Sequence, residues 1–234
     1  MVSVHRPDAA GHDAFTGRAG SLAKARAALR LCSERGLFTA INCCPDPEMI
    51  DGRGLEQVIA MGRELGCSFV QVIHNKAAGR RLGELDPVAG NPTRLERLRR
   101  LHRIHNRAGE GADQPDLSVQ VCEESRELFG CTAGGVDRFY LGAGGEVQPC
   151  EFLNISFGNV GEEDFETVYG RMRRAFPRPG CNWLCCTQAP FLARLIAERG
   201  RERTPLPWAV TRTFIDTWER GEETPLYRRL GIYR

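Results

Sequence analysis

Lysine is nearly absent from this chain: Lys24 and Lys76 are the only two, in a cation set otherwise made of arginine. Arginine is favoured at phosphate and nucleic-acid sites. Here, however, 30 acidic residues balance the cations to a net charge of +2, and no basic block stands clear of acids. The bias reads as compositional, and no nucleic-acid partner is expected. Long apolar runs are also missing. No stretch of about eighteen apolar residues occurs, so no membrane span is expected. Met1 is followed directly by a strand-like Val2-Ser3-Val4 with no secretory pattern, and the expected location is cytoplasmic.

Cysteine, by contrast, is abundant. Ten cysteines without a secretory signal point to a reducing compartment, where thiols serve metals or redox chemistry more than disulfides. Half of them, Cys131, Cys150, Cys181, Cys185 and Cys186, fall in one stretch. A Gly-rich hairpin pattern from Arg138 to Pro149, turning at Gly142 to Gly145, separates the first two and returns them to the same end. Thiolates gathered in this way can hold a metal ion or an iron–sulfur cluster. Cys131 and Cys150 are ligand candidates, together with Cys181 and one of Cys185 or Cys186, because adjacent thiolates point apart unless the backbone bends. On spacing alone, zinc and a cluster both remain open. Cys32 and Cys67 read as small core residues. Cys122, at the end of an expected strand, reads as an ordinary strand-end thiol with a stand-in ligand as the alternative, and Cys43 and Cys44 read as half-buried thiols at a strand end.

The first half alternates strands and helices. Strands are expected at Val2 to His5, Leu37 to Cys43, Cys67 to Ile73 and Leu117 to Cys122. A polar loop follows the first. Ser21 is expected to cap a helix with Leu22, Ala25, Leu29 and Cys32 on its apolar face. A second helix carries Leu55, Val58, Ile59 and Leu65, and Asn91 with Pro92 opens a third with Leu95, Leu98, Leu101 and Ile104. This order means right-handed βαβ units and a parallel sheet.

Ser3, His5, Asn42 and Gln71 put polar groups into these strands. In a barrel, alternate side chains point inward, where enzymes hold ligands. The alternative is ordinary hydrogen bonding to loop backbone. His5, His12 and His74 lie near strand ends, either at a ligand or as solvated loop residues. A parallel sheet covered by helices on one face leaves the other bare, at a cost for apolar strands. A partner chain or a missing N-terminal segment is therefore expected to complete the barrel.

The runs VSVHRPDAAGHDAFTGRAGS, GLFTAINC and ELGCSFVQVIHNKAAGR resemble the fourth, fifth and sixth strand segments of the radical S-adenosylmethionine (radical SAM) barrel. The run CTAGGVDRFYLGAGGEVQPCEFLNISFGNVGEEDFETVYGRM is similar to the SPASM or twitch extension of that family, which holds an auxiliary [4Fe-4S] cluster. The resemblance spans about residues 2 to 190. It implies an α/β fold in which residues 1–112 form a partial (β/α) barrel of the radical SAM type, its last three or four parallel strands. Residues 113–190 would then be a SPASM/twitch-like β-hairpin plus helix domain, and 191–234 a C-terminal helical tail.

The resemblance also implies Ser3, Asn42 and Gln71 as cofactor contacts, and Cys131, Cys150, Cys181, Cys185 and Cys186 as the pool of cluster ligands. The family's CxxxCxxC motif, whose three thiolates leave one iron open to S-adenosylmethionine, is missing. The nearest approach is Cys181, Cys185 and Gln188, with Cys186 at the wrong spacing. S-adenosylmethionine is expected only if the missing barrel half is supplied. The implied role is part of an enzyme that modifies a peptide or small metabolite by radical chemistry. The alternatives are a non-catalytic iron–sulfur module for electron transfer or for completing a partner, and a zinc-stabilised structural domain.

Overall fold

Period-two alternation in the first half dictates which residues the sheet buries. The computed structural model describes residues 1–84, 86–107, 114–200 and 204–233. Its first half comprises β1 (Val2–Ser3), α1 (Ala9–Thr16), α2 (Ser21–Glu34), β2 (Ala40–Cys43), α3 (Pro47–Asp51), α4 (Gly54–Glu64), β3 (Phe69–Val72), α5 (Pro92–His105), β4 (Asp116–Val119) and α6 (Gln120–Glu123). The four strands form one parallel sheet in the order β1-β2-β3-β4. With its helices, this makes the protein α/β.

Ile41, Val70 and Leu117 lie side by side in register and are almost fully buried. Each contributes about 1.5–3 kcal/mol by leaving water. Helix α4 seats on this face. Its Gly62 comes so close that an added Cβ would stand 2.9 Å from a Val70 methyl and 3.5 Å from Ile41 Cδ1. Leu55, Val58 and Ile59 bury the rest of the helix. In α5 the Asn91 side chain accepts from Arg94 N and Pro92 occupies the first turn, as the sequence predicts. Only Leu98 and Leu101 of its expected apolar face are buried, and Ile104 is exposed.

Several boundaries differ from expectation. The expected polar loop after β1 contains α1, capped by Asp8, whose side chain accepts from Gly11 N. Ser21 is not the cap of α2. Asp13, on α1, does that work by accepting from Gly20 N, Ser21 Oγ and Leu22 N, a cap from a neighbouring helix that no local pattern reveals. The strand expected from Leu37 begins only at Ala40, and Leu37 and Phe38 are exposed. Cys122 lies in α6 rather than at a strand end. The boundary expected between residues 112 and 113 lies outside the described residues.

The second half comprises β5 (Tyr140–Leu141), β6 (Val147–Gln148), α7 (Phe165–Ala175), α8 (Leu184–Thr187), α9 (Ala189–Arg199), α10 (Trp208–Thr211) and α11 (Pro225–Leu230). The antiparallel β5–β6 pair turns through Gly142 to Gly145, with Gly142 N donating to Glu146 O. On its other side β6 meets the 157–158 segment, where Val147 N donates to Gly158 O and Phe157 N to Val147 O. Phe157, Val168, Met172, Leu184, Leu192 and Ile196 are members of its core.

The chain divides into two compact units. One joins Met1–Asn75 to Pro87–Glu123; the other joins Lys76–Asp86 to Glu124–Arg234. The loop leaving β3 therefore contributes to the second unit. Among the described residues, no helix is long and apolar enough to cross a membrane.

Candidate functional site

In the first unit, the third residue of each of β2, β3 and β4 falls in one row. Asn42 pairs in register with Ser3 on one side and Gln71 on the other, and Gln71 pairs with Ser118. Alternation turns this row away from the buried Ile41, Val70 and Leu117 face. The expected contacts Ser3, Asn42 and Gln71 are thus brought together. Ser118 is a fourth member that sequence reasoning missed, although its place in Asp116-Leu117-Ser118-Val119 matches that of Asn42 in Ala40-Ile41-Asn42-Cys43. Asn42 Oδ1 is buried without a hydrogen-bond partner among the described residues.

At the carboxyl ends of the strands, His5 Nδ1 accepts from Cys44 N at 3.1 Å, and His12 Nδ1 accepts from His5 N at 3.1 Å. Arg6 pairs with Asp46 beside them. His12 and His74 are buried rather than solvated loop residues, and His12 lies on α1. Burial, with the neighbouring His12 and Arg6 charges, pushes the His5 imidazole down to about 4. A roomy groove of about 990 Å³ lies elsewhere in this unit, between α4 and α5, lined by Arg53, Glu56, Arg97 and Arg100 among others. Its walls carry none of the polar row.

In the second unit, the thiol stretch is drawn together by backbone bonds. Cys131 exchanges hydrogen bonds with Gly180, its N donating at 2.7 Å and its O accepting at 3.3 Å. Gly134 N donates to Pro149 O at 2.8 Å, which ties the Cys131 loop to the end of the hairpin at Cys150. Cys185 and Cys186 sit in the short helix α8.

The Cys131, Cys150 and Cys185 thiols lie close enough to act electrostatically on one another. The Cys186 thiol donates to Asp86 Oδ2 across 3.4 Å, and the Cys185 thiol beside it is near enough for each to act on the other's ionisation. Cys181 differs. Its Sγ contacts Arg126 Nη2 and Asn182 Oδ1, each at 3.7 Å. The structure thus gathers Cys131, Cys150, Cys185 and Cys186, while the Cys181 thiol is engaged elsewhere in the same unit.

The electrostatics of these sulfurs are mixed. Burial pushes the Cys131 thiol up, but N–H groups of Leu184 and Ala133 point at its sulfur and favour a thiolate. Burial likewise raises Cys150 strongly, against an N–H from Phe152. The hydrogen bond from Cys186 brings Cys185 down to about 7, with burial opposing and the Lys76 charge assisting; the same bond raises Cys186.

Lys76 is the other residue that sequence reasoning missed. Its side chain is only 5% exposed, its Nζ lies 3.9 Å from the Trp183 ring centroid and 6.0 Å from that of Phe152, and among the described residues it has no hydrogen-bond acceptor. Nothing in the local sequence marks it except the rarity of lysine. Trp183 is itself held by its Nε1 donating to Glu124 O at 2.6 Å.

Among the described residues, no group of three or more His, Cys, Asp or Glu side chains is disposed to hold a metal ion. One tetrahedral Zn²⁺, with Zn–S bonds of about 2.3 Å, requires four sulfurs within about 4 Å of one another. A four-iron cluster binds each thiolate on a separate iron and spreads them farther apart. In its donor chemistry the set is compatible with a cluster: sulfurs from three separate segments, Cys150 buried and Cys131, Cys185 and Cys186 half-buried, with the Lys76 cation acting on the last two. No family model matches the chain, and no curated protein matches it.

Proposed function

We propose that the second unit is an iron–sulfur domain of the SPASM/twitch type, holding an auxiliary [4Fe-4S] cluster through Cys131, Cys150 and Cys185, with Cys186 as the fourth ligand. The observation that carries this reading is the backbone tie that brings the Cys131 loop to the end of the hairpin, Cys131 bonding Gly180 and Gly134 N donating to Pro149 O, with the Cys131, Cys150 and Cys185 thiols near enough to act on one another. Hydrogen bonds to a thiolate stabilise its charged form, the form that binds iron. When bound, such a cluster supplies a store for one electron. The chain's own part is to hold four sulfurs, to keep water from them with a core that includes Leu153, Phe157 and Leu184, and to tune their charge.

The first unit is proposed as the matching part of a radical SAM barrel, with Ser3, Asn42, Gln71 and Ser118 as its ligand-facing row. The whole enzyme would modify a peptide or small metabolite, and the CxxxCxxC segment that opens the reaction would be supplied by additional chain or by a partner. The buried, unpartnered Asn42 Oδ1 favours a ligand for this row, because such an atom costs about 1–3 kcal/mol when left unbonded.

Anaerobic purification followed by iron, acid-labile sulfide and zinc analysis tests the reading. Iron and sulfide in equal amounts are expected in the wild type, and most of both should be lost in Cys131→Ala and Cys150→Ala. Zinc without sulfide in the wild type, or undiminished iron in both variants, refutes it.

A further inference from the structure

A buried ammonium is an expensive group to leave without an anion. Lys76 Nζ sits inside the second unit with neither a hydrogen-bond acceptor nor an ion-pair partner among the described residues. The penalty for an ionised side chain withdrawn from water amounts to several kcal/mol, and breaking a buried pair is among the most destabilising changes a protein can suffer. The Trp183 face, 3.9 Å away, offsets only about 0.5–2 kcal/mol of that.

The nearby carboxylates are occupied. Asp86 accepts from the Cys186 thiol and Glu124 pairs with Arg138. The groups on which the Lys76 charge does act are Cys185 and Cys186. A cation held in an aromatic slot beside sulfur donors, with no hydrogen-bond acceptor among the described residues, is placed for negative charge gathered on the sulfurs.

We propose that Lys76 is the counter-cation of the sulfur centre, its ammonium held by Trp183 so as to balance the negative charge of a thiolate-bound cluster. This rests on the cluster reading above. It assigns to the loop after β3 a function that its sequence does not announce, and it makes two opposite demands on the residue. Without the cluster, Lys76 is a liability, because its charge is buried with no acceptor or carboxylate partner among the described residues. With the cluster, the same charge stabilises the added electron and the centre as a whole. A lysine kept only for packing would act in one direction in both forms.

The test compares wild type, Lys76→Met, which keeps the chain length but loses the charge, and Lys76→Arg, which keeps the charge. Each is prepared metal-free and after anaerobic reconstitution with ferrous iron and sulfide. Metal-free Lys76→Met should unfold at a higher urea midpoint than wild type. Reconstituted Lys76→Met should retain less iron through desalting. At a fixed applied potential, followed by electron paramagnetic resonance, its ratio of reduced to oxidised centre should fall by on the order of tenfold, or about 59 mV for one electron. Lys76→Arg should restore the wild-type potential.

Metal-free Lys76→Met that is less stable than wild type, or that does not fold, overturns the proposal. So does a reconstituted Lys76→Met with wild-type potential and iron retention. Failure of the wild type itself to take up an iron–sulfur centre is a separate result, which overturns the cluster reading and this proposal with it.

Discussion

Gly134 offers the most direct way to perturb the thiol site without touching a sulfur. It has φ +82°, and a Cβ built on it would stand 2.1 Å from Phe176 Cγ and 2.3 Å from Phe176 Cβ, on a ring that is 2% exposed. Two penalties follow for Gly134→Ala. The left-handed backbone costs a residue with a Cβ about 1–2 kcal/mol. Overpacking against a side chain that cannot swing into solvent adds about 1–3 kcal/mol. The sum, about 2–5 kcal/mol, is a large share of the roughly 5–15 kcal/mol that a typical domain has. Gly83 supplies the comparison within the same unit. It has φ +95°, but its added Cβ would meet only Ala193 Cβ, at an ordinary 3.7 Å. Gly83→Ala therefore carries the backbone penalty alone.

In urea, at a slope of about 2 kcal/mol/M, the midpoint should fall by about 1–2.5 M for Gly134→Ala and about 0.5–1 M for Gly83→Ala. Because Gly134 N also ties the Cys131 loop to Pro149, Gly134→Ala should lose iron as well, and Gly83→Ala should keep it. Equal midpoint shifts for the two variants refute the packing argument. Full iron content in a folded Gly134→Ala refutes the link between that loop and the site.

Cys181→Ala should retain most of the iron that Cys131→Ala and Cys150→Ala lose, since the Cys181 thiol faces Arg126 and Asn182; iron and sulfide analysis of the purified variants checks this. Asn42→Leu should leave the metal-free protein as stable as wild type or raise its stability by about 1–2 kcal/mol, because the buried Oδ1 has no partner to lose; a clear fall in the urea midpoint would show that the oxygen is bonded. Stability should also decline in acid through His5. The unfolded imidazole takes a proton near pH 6.5 and the folded one resists to about 4, so this contribution is whole above pH 6.5 and is lost progressively as pH falls from 6.5 to 4. After discounting for the half-exposed ring, the loss is about 1–2 kcal/mol, read from urea midpoints across that range. It should shrink in His5→Asn, which can still accept from Cys44 N.

The layout of the first unit was legible because each strand repeats one rule. Ala40-Ile41-Asn42-Cys43 and Phe69-Val70-Gln71-Val72 carry their polar residue at the same place, so the sheet's two faces could be told apart before any pairing was known. What local patterning missed was work done across the fold. Asp13 caps α2 from α1, and α1 itself lay hidden in a short polar stretch where His12, a residue read as loop, turns inward. Phe38 shows the opposite failure. It extends the apolar run of β2 on paper, but the ladder begins at Ala40 and leaves it 76% exposed against Phe69.

For the thiol site, spacing could limit the donors but could not order them, because ligand order depends on where each Cβ points. Spacing favoured Cys181, four and five positions before the next two thiols. Its backbone does lie beside Cys131, since Gly180 bridges to it, but its N–H bonds Glu222 O and its sulfur turns toward Arg126. Cys185 and Cys186 looked mutually exclusive, since adjacent side chains diverge in extended backbone. They fall instead in a helical turn, where each thiol acts on the other's ionisation. The residue that ties these sulfurs to a charge, Lys76, comes from a loop about a hundred positions upstream and carries no cysteine motif. A linear pattern reports donors of one chemical type; the opposite charge that makes such a set affordable in a core comes from whichever segment the fold brings past it. Lysine's scarcity was the sequence's only trace of that requirement. With every other Lys or Arg but Lys24 an arginine, position 76 stands out by composition, and there the fold sets an ammonium 3.9 Å from the Trp183 ring centroid.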